Sequence, residues 1–389
     1  MKNNIIKLYL FNFFTGLHFI SGVIIPFYTV WAGLNLTQTL ILQSWFLLCT
    51  FLLEIPSGTF ADYFGRKKTL ALAALVNILG VIVYSSTPNF FVFMFGEFLW
   101  AAAIALMSGT EHALLYDTLK KIKSTKKSKV IFSRYQSIHL AGIMVGAPIG
   151  SFLASIAGLQ STMLYMAIPF GIALLISLTL EEPHFKKKIE EQNYLKILKG
   201  SLKHFYKHKI LKILALDMVV IATISYFMIW FYQVMLKNAG LDIAYFGFVH
   251  SGLAISQIII MNNFNKIERI FGSKRRLIFF SSLITGLMFI LGGLTIFLPL
   301  VLIVIIVGGG FGLSREPLFT SYFNKYIPSD KRATVLSSIT MLRRLSVAVI
   351  NPVIGILADW SFSNTLILLG LVAVIFSFVS GTKEEMLID

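Results

Sequence analysis

Hydrophobic positions along this chain come in long, unbroken blocks. Twelve of them, near residues 8–31, 38–61, 69–87, 90–117, 131–158, 161–180, 210–236, 243–264, 276–297, 299–323, 333–358 and 363–381, are nearly free of charge. A bilayer core takes about 20 apolar residues per helix, and backbone polar groups inside lipid must be satisfied within the segment. Each block therefore predicts a membrane-spanning helix. The cations fall between the blocks, and they alternate. One set of links carries Arg66, Lys67 and Lys68, then Lys120 to Lys129, Lys186 to Lys209, Lys266 to Arg276 and Lys325 to Arg332. The other set carries almost none, Lys237 apart. Short cationic loops stay in the cytoplasm. An even number of spans then puts both termini on the cytoplasmic side.

Composition agrees with this pattern. Charged residues make up 13% of the chain and hydrophobic ones 56%, where a soluble domain has about 25% charged. The net charge of +16 is accounted for by the loops, so the expected partner is the lipid bilayer and no nucleic acid is implied. The start, Met1-Lys-Asn-Asn, has a cation like a signal peptide. The apolar run after it is longer than an h-region and has no A-x-A site, which predicts an uncleaved first helix. Cys49 is the single cysteine; it allows no intrachain disulfide and no cysteine metal site. No metal site is expected.

The widest interruption, residues 181–209, divides the spans into two sets of six, 1–180 and 210–389. Tyr194, Leu195, Leu198, Leu202 and Phe205 recur within it at helical spacing among lysines, as in an amphipathic helix lying on a membrane surface. The halves echo one another. Phe64-Gly65-Arg66-Lys67-Lys68 has a counterpart in Phe271-Gly272-Ser273-Lys274-Arg275, Thr110-Glu111-His112-Ala113-Leu114 in Arg315-Glu316-Pro317-Leu318-Phe319, and Ala147-Pro148-Ile149-Gly150 in Asn351-Pro352-Val353-Ile354-Gly355. All three recur at nearly one offset, about 205 positions, which indicates duplicated six-helix bundles.

The link between the second and third spans, Gly58-Thr-Phe-Ala-Asp62-Tyr-Phe-Gly65-Arg66-Lys67-Lys68, is too short for a solvated loop. Gly58 lacks a Cβ and permits close helix approach, and Gly65 supplies a tight turn. The pattern G-x-x-x-D-x-x-G-R-K resembles the hairpin motif of the major facilitator superfamily of secondary transporters. The resemblance implies an all-α integral membrane fold of twelve transmembrane helices in two pseudo-symmetric six-helix bundles. It also implies a conformational lock of Gly58, Asp62, Gly65, Arg66, Lys67 and Asp117. Arg66 would pair with Asp117, and Asp62 would face the start of the eleventh helix near Ala333 and Thr334. The position after Asp62 is Tyr63, where the family usually has a cation. In the fifth span Gly142, Gly146, Pro148 and Gly150 resemble the glycine–proline motif of antiporter-type members, although Ala147 precedes the proline here and the glycine spacing differs. Without the family, those residues read as close packing and a kink.

Ionisable residues inside the spans are costly and tend to be functional. Glu111 lies nine residues before Lys120 and Glu316 nine before Lys325, about 13 Å from the membrane edge at ~1.5 Å per residue. In the family's fold those two helices line the central cavity. The candidate proton-coupling residues are Glu111 first, then Glu54, Glu316 and His112. The candidate cavity residues are Arg315, Arg343, Arg344, Asn12, His18, Tyr226, Trp230 and Gln233. Adjacent helical residues point about 100° apart, so within Arg315–Glu316 and within Arg343–Arg344 one member is expected in an ion pair, such as Glu316 with Arg343 or Arg344, and the other toward the cavity or Glu54. Glu97 and Asp217 lie nearer the span ends and rank lower.

No G-x-x-x-x-G-K-[ST], H-E-x-x-H or G-x-S-x-G occurs, and the glycines at 308–312 fall inside a span. The expected protein is therefore not an enzyme and uses no bound cofactor; the proton gradient is its drive. It is expected to act as a monomer in the plasma (inner) membrane of a prokaryote. The first reading is proton-coupled efflux of small amphipathic compounds. The second is proton-coupled import of an anionic nutrient, with Arg315, Arg343 or Arg344 binding its charge.

Overall fold

The computed structural model describes residues 2–182, 205, 208–328 and 332–388. Among them every regular element is helical. Twelve helices are long and apolar enough to cross a membrane: α1 Asn3–Gly22, α2 Leu36–Glu54, α3 Arg66–Ser86, α4 Phe90–Lys121, α5 Thr125–Ala157, α6 Leu159–Leu178, α7 Lys209–Asn238, α8 Ile243–Asn262, α9 Lys274–Leu294, α10 Leu298–Tyr326, α11 Val335–Trp360 and α12 Phe362–Val379. The apolar blocks and these spans agree in number and order. Of the expected amphipathic helix only Phe205 is described, and it is buried; Tyr194, Leu195, Leu198 and Leu202 lie outside the described residues.

Two compact units form, Met1–Glu190 with Asp242–Ser251, and Glu191–Leu241 with Gly252–Asp389. The core of the first includes Leu8, Phe11, Leu70, Leu114 and Tyr135. That of the second includes Leu211, Leu214, Phe319, Tyr322 and Val335.

The first apolar block is not one continuous helix. Its regular part ends at Gly16, a 3-10 turn covers Phe19–Gly22, and Ile24–Pro26 leads into a π turn at Phe27–Trp31. Pro26 has no amide to continue a helical ladder, and α5 presses on the segment before it. A Cβ on Gly142 would sit 2.6 Å from Phe13 O and one on Gly146 2.8 Å from His18 N, while one on Gly150 would overlap Phe19 O. The glycines of α5 thus form a groove in which the backbone of α1 lies, the close packing that small residues allow in membranes.

Two further breaks set the positions of the charges. α4 is interrupted at Ser108 and Gly109, whose φ is +74°, a conformation that favours glycine. A 12-residue helix, Thr110–Lys121, restarts there with Glu111 in its first turn. α10 contains a π turn at Val304–Gly308 and is interrupted at Ser314. Another 12-residue helix, Arg315–Tyr326, restarts with Glu316 in its first turn.

The hairpin tips are also repeated. Helix α2 extends regularly to Phe64, and Gly65 turns the chain at φ +92°. The Glu182 carboxylate then accepts from the backbone N–H of Arg66 at 3.0 Å and of Lys67 at 2.7 Å. In the second unit Gly272 makes the turn at φ +87°. There Glu384 accepts from Lys274 N–H at 3.1 Å and Arg275 N–H at 2.7 Å.

Candidate functional site

Glu97 lies seven residues into α4, about 10 Å along its axis, and is 4% exposed. Its Oε1 accepts from the Tyr28 hydroxyl at 2.9 Å and from Gln43 Nε2 at 2.9 Å. The Tyr28 and Tyr84 hydroxyls are 3.2 Å apart. Tyr28 comes from the π turn after α1, Gln43 from α2 and Tyr84 from α3, so four segments converge on one carboxylate. A buried carboxylate needs such donors, because water is absent to solvate it. Beside it is a cavity of about 170 Å³ whose lining includes His18, Tyr28, Gln43, Phe46, Glu97 and Trp100. The His18 ring meets Trp100 edge-on, with centroids 5.7 Å apart. A carboxylate, an imidazole and an indole around one hollow can hold a proton or an organic cation.

A second carboxylate of the same unit, Glu111, has a side chain 15% exposed. Its Oε2 accepts from the Tyr135 hydroxyl of α5 at 2.7 Å. His112 Nδ1 stands 3.6 Å from its Oε1, with the imidazole stacked on Phe132 at 5.5 Å. Two of the proton-coupling candidates, Glu111 and His112, thus have their side chains side by side.

The second unit arranges its charges differently. Arg315 is 1% exposed and Asp217 2%, and they form an ion pair. Arg315 also donates to Ile278 O at 2.8 Å and to the Ser281 hydroxyl. Asp217 accepts from Ser380 and, at 2.9 Å, from Thr382. Arg315, a cavity candidate from the sequence, is thus tied into a buried polar network. Its neighbour Glu316 turns to Arg343, Nη2 to Oε2 at 3.4 Å. Arg344 is half-buried and takes part in no ion pair among the described residues. On α7, Tyr226 and Trp230 are neighbours at 6.1 Å between rings, and the buried Trp230 Nε1–H has no hydrogen-bond partner among the described residues. Gln233 Nε2 donates to Tyr232 Oη at 2.9 Å.

Other candidates occupy simpler positions. Asn12 Nδ2 donates to Tyr135 O at 2.7 Å and is buried, so it joins α1 to α5. Glu54 is exposed. At the hairpin, Arg66 forms an ion pair with Asp117 and donates to Ala113 O at 2.9 Å. Asp62 and Gly58 are exposed, and a Cβ on Gly58 would meet nothing within 4 Å among the described residues. The side chains of Ala333 and Thr334 lie outside those described.

Glu97 ranks low in sequence because it lies near the end of its span, yet its carboxylate gathers Tyr28 and Gln43, with Tyr84 beside them. The available indication was its isolation within Phe93-Met-Phe-Gly-Glu97-Phe-Leu-Trp100; a charge there needs partners. Tyr28, Gln43 and Tyr84 carry no pattern that names them as those partners.

Several known proteins resemble the chain. Among solved structures, a mutant form of the nucleoside transporter NupG superposes with TM-score 0.81 at 13% identity, covering 97% of this chain and 98% of that one. A POT family transporter in complex with 5-aminolevulinic acid gives 0.73 at 16%, over 96% and 94%. A bacterial homolog to the human lysosomal transporter Spinster gives 0.73 at 14%, over 99% and 95%. At these identities the likeness is one of fold. Over 68 residues, 18% of the chain, the sequence is 37% identical to solute carrier family 2, facilitated glucose transporter member 12, of Danio rerio, and it spans 11% of that relative's length. A family model matches residues 8–351, and the chain accordingly belongs to the Major Facilitator Superfamily.

Proposed function

We propose that this transporter is a proton-coupled exporter of small amphipathic compounds, working by alternating access as a monomer in the plasma membrane. The proton gradient drives it without a bound cofactor, and both termini are cytoplasmic. The similar structures are nucleoside, POT-family and Spinster-type transporters, so the export reading rests on residues of this chain. The observation that carries it is the pair of acids in α4. Glu97 and Glu111 each accept from a tyrosine hydroxyl, and among the described residues no lysine or arginine pairs with either. A carboxyl held by neutral donors in a low-dielectric site changes charge at modest cost when its surroundings change. Glu111 is the leading proton carrier. Glu97 and His18, with Trp100, form the amphipathic hollow.

Inverted membrane vesicles test this. An inside-acid gradient should drive uptake, and Glu111→Gln should abolish that uptake while sparing substrate exchange. Uptake indifferent to the proton gradient would overturn the reading. Import of an anionic nutrient keeps one supporting observation, the half-buried Arg344, which forms no ion pair among the described residues. On that reading Arg344→Gln removes anion binding, and Glu97→Gln leaves it intact.

A further inference from the structure

A second hollow lies in the other unit, where α9 begins and α12 ends. It measures about 450 Å³, and its lining includes Asp217, Arg275, Arg276, Phe279, Phe378 and Glu384. Both arginines are exposed, and among the described residues neither is engaged in an ion pair. The two carboxylates are already compensated. Asp217 is held by Arg315, Ser380 and Thr382, and Glu384 by the amides of Lys274 and Arg275. What the hollow presents to a visitor is therefore two guanidinium groups that no described carboxylate pairs with.

Its outer wall is apolar and continues along the helix surface. Phe279 and Phe378 meet edge-on at 5.2 Å. Phe378 is 68% exposed, and Ile375 and Val379 beside it are 60% and 67% exposed. The helix leading into α9, Phe264–Phe271, packs Phe264, Ile267 and Phe271 onto the core and carries Lys266, Glu268 and Arg269 on its polar positions. Such an amphipathic segment belongs at a membrane surface. The hollow thus has a cationic head end and an apolar tail end at the level where headgroups meet acyl chains.

We propose that this hollow binds an anionic phospholipid, its phosphate on Arg275 and Arg276 and its acyl chain along Phe378 and Val379. Planar guanidinium forks match phosphate oxygens, and basic pockets between helices at the cytoplasmic membrane face take anionic headgroups. Two hydroxyls in the lining narrow the class. Ser282 donates to Ile278 O at 3.0 Å and Ser377 to Val374 O at 2.7 Å, so their oxygens are left to accept. A headgroup with its own hydroxyl donors, as in phosphatidylglycerol, satisfies them.

Native mass spectrometry of the full chain in detergent tests the site. Dioleoyl phosphatidylglycerol and dioleoyl phosphatidylcholine are offered at equal mole fraction, with inorganic phosphate added in a separate arm. The wild type should retain phosphatidylglycerol selectively. Arg275→Gln with Arg276→Gln should lower that selectivity about tenfold or more, since each surface cation contributes measurably to anionic-lipid binding. Lys126→Gln with Lys127→Gln, which removes the same charge from the start of α5 in the first unit, should leave it unchanged. Equal loss in both double variants, or none in the arginine variant, would refute the site. Displacement of the lipid by millimolar inorganic phosphate would make it a phosphate site and overturn the lipid assignment. Both arginine side chains are exposed, so a matching melting temperature for the variant confirms that the readout is binding and not unfolding.

Discussion

The Glu182 carboxylate accepts the backbone N–H of Lys67 at 2.7 Å, and Glu384 does the same for Arg275, also at 2.7 Å. Each acid follows the last span of its half and caps the third. The first amides of a helix lack intrahelical partners and carry the positive end of its dipole. Here they stand beside three successive cations, Arg66-Lys67-Lys68 or Lys274-Arg275-Arg276, which would otherwise repel that end. Glu182→Gln and Glu384→Gln should each destabilise the protein by about 1 kcal/mol, read as lower melting temperatures in detergent.

The Glu384 cap carries a pH signature. Burial raises its carboxyl pKa, but hydrogen bonds from the Arg275 and Lys274 amides and the Ser273 hydroxyl, with the Lys274 charge, hold it below the ordinary carboxylate value. A folded-state pKa that is depressed contributes stability above the unfolded value, about 4.3 for glutamate, and loses it as pH falls through the folded one. The melting-temperature gap between wild type and Glu384→Gln should be constant near neutrality and close below roughly pH 4. A gap that persists into acid would show that the carboxylate charge is not its source.

Asp217 and Arg315 form a buried pair, their side chains 2% and 1% exposed. Removing one partner strands a charge, at about 3–5 kcal/mol, whereas replacing both by apolar residues of similar volume is close to neutral. Asp217→Asn and Arg315→Met should each sharply reduce the yield of folded protein. Asp217→Leu with Arg315→Met should recover most of it in size-exclusion and thermal-shift measurements. Transport that also survives in the double variant would confine the pair to a structural role.

The glycines divide by what surrounds them. A Cβ at Gly150 would overlap the Phe19 carbonyl, whereas one at Gly171 would meet nothing within 4 Å among the described residues. Gly150→Ala should cost about 1–3 kcal/mol from overpacking. Gly171→Ala should gain up to about 1 kcal/mol from helix propensity. Melting temperatures moving in opposite directions would confirm the α1–α5 groove.

Much of the architecture is readable in sequence because it is written locally. An uncharged block of sufficient length specifies a span, and a glycine beside a run of cations specifies a hairpin tip. The partnership of Arg66 with Asp117 followed from a motif. The polar clusters are different. Tyr28 reaches Glu97 across 69 positions, and Arg315 reaches Asp217 across 98. Helical periodicity establishes that Arg315 and Glu316 diverge, and they do, toward Asp217 and Arg343. It does not specify which distant helix either one meets, because that depends on how each span is rotated about its axis. The break at Gly16 and the turns through Trp31, which aim Tyr28 at Glu97, arise from packing against α5 and have no periodic signature.

The interruption of α4 at Gly109 places Glu97 on one rod and Glu111 on another. Each acid keeps its own tyrosine, Tyr28 or Tyr135. A swing at that joint carries Glu111 with the rod that starts at Thr110 and leaves Glu97 with the rod that starts at Phe90. One glycine thereby allows the surroundings of one acid to change while those of the other stay as they are.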